Sequence, residues 1–217
     1  MKQYVSYSEI SAYYWDKQRW YDRYILGKEE EMPERVTLGS DIHKYWEDEK
    51  YPLTEKLKER GYTPKQIAAI KKAANKLVKW KLPEPEAKMY AELKNEIKLF
   101  GLFDSWDKEN KILAELKTSD QEDAWTQWRV NNNEQLSFYA LIYWKTYHGF
   151  LKEIRLHFLN PKKGTLKTFY TARGPKDLEH IYNKIQQFVQ DIKNKGLWSQ
   201  RLSREERDQL QQKKLKL

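Results

Sequence analysis

The sequence predicts an α/β (α+β) fold: a single domain over 1–217 with a helical layer (1–85), a mixed core (86–196) and a polar helix or tail (197–217). Three observations predict it. Apolar residues recur at helical spacing as far as Val78. From Lys88 to Thr118 the rhythm shortens towards two, as in strands. No internal repeat and no Gly-, Ser- or Pro-rich linker divides the 217 residues, a length suited to one substantial domain.

Taken in order, Ser6-Tyr7-Ser8-Glu9 reads as a capping box, with Ser6 at the N-cap and Glu9 three residues on. It opens a helix to about Leu26, stopped by Gly27, along which Ile10, Tyr13, Tyr14, Lys17, Tyr21 and Tyr24 recur. The Tyr/Trp stripe between Tyr13 and Tyr24 reads as packing. The charged stretch 28–35 reads as a loop, and a second helix begins near Ser40 and ends before Pro52. Thr63-Pro64-Lys65-Gln66 starts a third, with Thr at the N-cap, Pro at N1 and Gln at N3. Ile67, Ile70, Ala74, Leu77 and Val78 give it one apolar stripe, and Pro83 and Pro85 close it off. Strands follow to Thr118. Asn131-Asn132-Asn133 is a cap region for "EQLSFYALIYWKTYHG", apolar on most sides and so a buried helix ending at Gly149. "KEIRLHFLN" and "GTLKTFYTA" form a second hairpin around Pro161-Lys162-Lys163. Gly174-Pro175 opens a last amphipathic helix that Gly196 ends, and the tail is a solvated helix or a frayed end.

Composition narrows the function. Charged residues make up 34% and hydrophobic ones 39%, with nine Trp, fifteen Tyr and seven Phe to build a core. There is no Cys, which excludes disulfides, thiolate zinc sites and iron–sulfur ligation. No run of 18 uncharged apolar residues predicts a membrane span, and "MKQYVSYSEI" lacks a signal-peptide apolar region, so a cytoplasmic protein without membrane contact is expected. A net charge of +9 suits a polyanionic partner, nucleic acid foremost; solubility is the plainer use of the same charge.

The candidate chemistry lies in "GLFDSWDKENKILAELKTSD", 101–120. A turn at 107–112 with Glu109-Asn110 at its tip places Asp104 directly opposite Glu115, on one sheet face, with Cβ atoms roughly 5 Å apart. Lys117 shares that face by alternation. Two carboxylates across a ladder repel and need a cation, and hard oxygen ligands suit Mg²⁺ or Mn²⁺. A lysine beside them can orient or deprotonate a water, or neutralise charge on a phosphate. The plainer reading is a solvent-facing hairpin in which Lys117 pairs with Glu115 or Asp104. "GLFD" and "ILAELKT" are too apolar for a strand pair wholly in water.

Gly101-x-x-Asp104 followed by Glu115-x-Lys117-Thr118 resembles the core of the PD-(D/E)XK nucleases. Gln135-x-x-x-Tyr139 resembles the QxxxY motif of the RecB-like branch, "SYSEISAYYWDKQRWYDRYILG" its opening helix, and "LGSDIHKYWE" its Gly-x-x-x-His helix. The matches run in order from Ser6 to Tyr139. The resemblance implies a restriction-endonuclease-like core, a central mixed sheet flanked by helices. It implies a Mg²⁺- or Mn²⁺-dependent deoxyribonuclease, an exonuclease acting on DNA ends. A non-catalytic nucleic-acid-binding module on the same fold, or a structure-selective or RNA-directed nuclease of the same family, are the alternatives. Asp104 and Glu115 would be metal ligands with His43, Lys117 would position or activate the attacking water, and Gln135 and Tyr139 would line the site. Glu92 or Glu96 would supply the family's less regular upstream acid. Relatives with an iron–sulfur cluster place a Cys in the first helix and three near the C-terminus; here Asp16 holds about the first position and no cluster is expected.

Each residue also has a plainer role. His43 can pair with Glu47 one turn on, and Gln135 and Tyr139 can be core residues of a buried helix. Trp125 and Trp128 either stack on bases or cap the core. Lys71, Lys72, Lys76 and Lys79 form a basic helix face that either tracks phosphates or is simply solvated.

Overall fold

A computed structural model of the chain describes residues 4–28 and 34–214. After a short strand β1 (Tyr4–Val5) come the helices α1 (Tyr7–Trp15), α2 (Lys17–Tyr24), α3 (Glu34–Glu47), α4 (Leu53–Glu59) and α5 (Pro64–Lys79). The long first helix expected from the sequence is two. Asp16 breaks it: the residue is extended (φ −154°, ψ 104°) and its side chain accepts from the Arg19 amide as the N-cap of α2. The break resets the helical phase, so that Trp20 and Tyr24 turn inward with Tyr13 while Tyr14 remains exposed. The capping box expected at Ser6 does not form. Glu9 is instead fully buried, 3.3 Å from Arg201, and that ion pair ties α1 to the C-terminal segment. Helix α3 starts well before Ser40, and most of the expected charged loop, 29–33, lies outside the described residues. At α5 both halves of the predicted capping box are present.

The remaining elements are β2 (Glu84–Glu92), β3 (Lys98–Asp107), β4 (Ile112–Thr118), α6 (Gln127–Asn131), α7 (Glu134–Tyr147), β5 (Glu153–Asn160), β6 (Thr165–Thr171), α8 (Pro175–Asn194) and α9 (Arg204–Lys214). The strands form one mixed sheet in the order β1-β3-β4-β5-β6, with β2 also paired to β3. Strands β4 and β5 are parallel, joined by the α7 crossover, and β5–β6 is the predicted hairpin. Asn133 caps α7 as expected, but its left-handed end is His148 (φ 52°), one residue before the Gly149 that the sequence suggests. Short α6, which the sequence reading does not single out, is capped by Thr126, whose hydroxyl accepts from the Arg129 amide.

Two apolar cores sandwich the sheet. On one face α1, α2, α7 and α8 pack around Tyr13, Phe103, Phe138 and Phe188. On the other, α3, α4 and α5 pack around Ile42, Trp46, Leu57 and Ile70. The central strand β4 serves both, with Leu113 in the first and Ala114 and Leu116 in the second. Among the described residues no helix is long and apolar enough to cross a membrane.

One irregularity of the sheet positions the site. Strand β2 occupies one edge of β3 from Trp106 to Lys98. The opposite edge is shared: β4 pairs with Ser105–Asp107 and β1 with Lys98–Leu99. Between them the strands part, leaving a fork in the middle of the sheet.

Candidate active site

Asp104 stands at the mouth of the fork. Continuing the register from Ser105↔Ala114 places it opposite Glu115, as the sequence predicts, but the ladder has already ended. The carboxylate replaces it: Oδ2 accepts from the Leu116 amide at 2.7 Å. The expected common face is corrected as well. Phe103 packs on Tyr139 (4.7 Å between ring centres) and Trp106 on Tyr143 (5.5 Å), both on α7, although residues three apart face opposite sides of a regular strand. Alternation therefore slips at Asp104–Ser105. Asp104 leans towards α3, where His43 Nδ1 lies 3.6 Å from its Oδ1, and it meets Glu115 through the gap rather than across a ladder.

Two glycines of the motifs allow these approaches. A Cβ on Gly39 would lie 2.6 Å from Thr118 Oγ1, so its absence lets α3 close on β4 and brings His43, one turn later, to the fork. A Cβ on Gly101 would lie 2.9 Å from Ile142 and 3.2 Å from Tyr139, so its absence lets α7 settle on β3.

From α7 a continuous polar network enters the fork. Lys117 Nζ donates to Glu115 Oε1 (2.7 Å) and to Gln135 Oε1 (2.8 Å). Gln135 Nε2 donates to Glu115 Oε1 (2.9 Å) and to the Tyr139 hydroxyl (2.7 Å), which donates to the Leu102 carbonyl (2.9 Å). Gln135 and Tyr139, four apart on a helix, are thus brought to Glu115 and Lys117 as their spacing predicts. Glu115 is 2% exposed, and its second oxygen, Oε2, is buried without a hydrogen-bond partner.

The electrostatics follow from burial. Burial first, then Asp104, pushes the Glu115 carboxyl up to about 7. Burial pushes Asp104 up to about 6 against the Leu116 amide and Lys117. Burial alone would depress Lys117, but Glu115 and Asp104 outweigh it and raise its pKa, so the side chain is an ammonium. His43 is lowered, mainly by burial, and is held neutral.

His43, Asp104 and Glu115 do not already form a closed ligand shell; no three His, Cys, Asp or Glu side chains among the described residues do. Their chemistry nevertheless fits a dication. A partnerless buried carboxylate oxygen, two carboxyls held above their usual range and a neutral imidazole are the donors that Mg²⁺ or Mn²⁺ takes. His43, Asp104 and Glu115 would hold such an ion.

The expected upstream acid is neither Glu92 nor Glu96. Glu92 pairs with Lys98, roughly 20 Å along β3 from Asp104, and Glu96 lies in the turn beyond it. Glu86 takes the place beside Asp104, between Pro85↔Ser105 and Ala87↔Phe103, with a left-handed backbone (φ 47°). It faces Glu47 of α3, whose carboxyl is pushed up to about 7 by burial and then by Glu86. The signal was the tight turn Lys94–Glu96, with Asn95 left-handed: a hairpin centred there brings Glu86 across from Asp104. The two tryptophans separate: Trp125 packs on the core, whereas Trp128 is 72% exposed.

No protein-family model matches the chain, and no curated protein matches it in sequence. Likeness lies in solved structures. A protein of Eubacterium rectale, provisionally named an exonuclease, superposes with a TM-score of 0.60 at 14% identity, covering 88% of this chain and 80% of that one. A second, SSO0001, reaches a TM-score of 0.38 at 16% identity over 74% and 78%, too slight to bear on the fold. The first likeness is one of fold alone, and with the central mixed sheet and its flanking helices it agrees with the expected restriction-endonuclease-like core.

Proposed function

We propose that the chain is a Mg²⁺- or Mn²⁺-dependent nuclease of the RecB-like PD-(D/E)XK type that hydrolyses phosphodiester bonds in DNA, working from ends. The observation that carries the reading is the convergence of His43, Asp104, Glu115, Lys117, Gln135 and Tyr139 on one fork, where the buried Glu115 Oε2 has no partner. The provisional name of the E. rectale neighbour supports the exonuclease mode.

A bound dication supplies Lewis acidity, polarising a phosphate oxygen and lowering the pKa of a water. The residues do the rest. His43, neutral, offers a lone pair, and Asp104 and Glu115 offer carboxylate oxygens. Lys117, an ammonium with three donors, orients the attacking water and stabilises charge developing on phosphate. Gln135 bridges Lys117 to Glu115 and fixes both rotamers. Tyr139 is raised well above its ordinary pKa by burial, then by Glu115 and Asp104, so it remains a neutral phenol that positions Gln135 and is not a nucleophile.

The test is cleavage of end-labelled duplex DNA with Mg²⁺ or Mn²⁺, comparing wild type with Glu115→Ala and Lys117→Ala. The expected result is cutting by wild type alone, with each variant slower by roughly 10²–10³-fold. Equal cutting by all three would place the activity elsewhere. Binding without cutting by wild type would favour a non-catalytic module, and circular DNA cut as fast as linear would remove the exonuclease mode. An RNA substrate cut in preference would reassign the substrate.

A further inference from the structure

Helix α5 carries Lys65, Lys71, Lys72, Lys76 and Lys79 and not one Asp or Glu. Lys71 is half-buried over the Tyr45 ring. The other four are exposed and, at 3.6 residues per turn, fall within an arc of about 60° opposite the buried stripe Ile67, Ile70, Ala74 and Leu77. None of the four makes an ion pair among the described residues. Carboxylates one turn away would compensate such a face, as Glu59 does for Lys56 on α4. Here Lys72 and Lys76, four apart, and Lys76 and Lys79, three apart, repel one another with no internal compensation. Exposed Lys162 widens the patch, because its turn presses on α5: a Cβ on Gly164 would meet Ala69 at 2.4 Å.

The row also has a direction. Just beyond its C-terminal end, Lys81 Nζ donates to the Glu47 carbonyl (2.7 Å) and the Leu82 amide to Ser105 Oγ (2.7 Å), the residue next to Asp104. One end of α5 therefore abuts the candidate site, and the other stands about 24 Å away along its 16 residues. That length matches about seven base pairs of duplex.

We propose that the Lys65–Lys72–Lys76–Lys79 face of α5 is a sequence-independent track for the phosphate backbone of duplex DNA leading away from the cleavage site. The proposal rests on the nuclease reading and adds to it the surface that holds the uncut duplex. Lysines are point charges on flexible stems, suited to phosphates in any sequence.

The test is equilibrium binding of a DNA duplex of about 30 base pairs in EDTA, over roughly 50 to 200 mM salt. K72Q/K76Q/K79Q is compared with wild type and with K88Q/K94Q/K111Q, which removes three exposed lysines elsewhere. The expected result is a salt slope lower by about 2–3 in the α5 variant, since each lost phosphate contact is worth about 0.9. Affinity should fall roughly tenfold or more for the long duplex and hardly at all for a dinucleotide, which is too short to reach beyond the site. The maximal cleavage rate should not change. Thermal unfolding of the α5 variant should match or exceed wild type, because self-repulsion is relieved. If the α5 variant keeps the wild-type slope and affinity while wild type still cuts DNA, the track is wrong and the nuclease reading stands. If wild type neither binds nor cuts DNA, both fall.

Discussion

Ionised Glu115 holds one oxygen, Oε2, against no donor in the protein interior, and its carboxyl is pushed up to about 7 by burial and then by Asp104. The folded-state value thus lies above the unfolded value of 4.5, so the fold favours the protonated form and loses stability as pH rises through 7. Glu115→Gln imitates the protonated form. In EDTA it should be more stable than wild type at pH 8, by on the order of 2 kcal/mol, with the difference vanishing towards pH 4.5 in urea titrations. Mn²⁺ should raise the melting temperature of wild type and leave that of the variant unchanged. A variant less stable than wild type at pH 8 would mean that Glu115 is comfortable as an anion and in no need of a dication. Gln135→Ala withdraws a partner from Lys117, Glu115 and Tyr139 together and should cost about 1–3 kcal/mol in the same titrations.

Helix α3 brings His43 to the fork only as far as Gly39 lets it approach β4. Gly39→Ala should destabilise by about 1–3 kcal/mol and weaken the melting response to Mn²⁺, since its Cβ would lie 2.6 Å from Thr118 Oγ1. Thr118→Ala removes that oxygen, so the double variant should be more stable than the sum of the two single changes, as a double-mutant cycle will measure. Strict additivity would show that the helix does not rest there. Elements whose signals are local were legible in the sequence: the Thr63–Gln66 box, the Asn133 cap and the alternation of β5 and β6 each act within a few residues. Elements decided by distant partners were not. Glu9 looked like a cap because Arg201, which claims it, is 192 residues away. Asp16 could be read as the site of a missing cysteine, yet it is the capping residue that splits one helix into two. At the fork the hairpin count gave the right opposite residues, but period two could not foresee the slip at Asp104–Ser105. Glu86 is hard to place from the sequence because the β2–β3 turn, built on a left-handed Asn95, lacks a glycine to mark it.

The sheet separates two cores, and His157 of β5 lies on the side of the helical layer, fully buried among elements distant in sequence. The rings of Trp46 on α3 and Trp80 at the end of α5 each lie 5.8 Å from it, and its Nδ1 is 2.9 Å from Thr168 Oγ1 on β6, while Nε2 has no partner. A positive charge there would have to be accommodated between two indoles, and its pKa is pushed down to about 4 by burial and then by Arg155. The sign is opposite to that of the site carboxyls. The unfolded chain binds a proton at 6.5 and the folded chain does not until about 4, so the stability His157 contributes is whole above 6.5 and is lost as pH falls towards 4. Between these values His157 opposes the carboxyls: acid relieves Glu115, Asp104 and Glu47 while it strains the layer interface at His157. With three carboxyls raised against one imidazole lowered, metal-free wild type should lose stability as pH rises from 4.5 to 7, and Mn²⁺ should flatten that profile by removing Glu115 and Asp104 from the balance. His157→Gln isolates the other side. Its destabilisation at pH 7.5 reflects lost packing, and on moving to pH 4.5 the gap to wild type should shrink by roughly 2–3 kcal/mol, because the variant has no proton to take up. A gap that stays constant between the two pH values would mean that the imidazole is protonated in the fold and that the helical layer opens to water at that point.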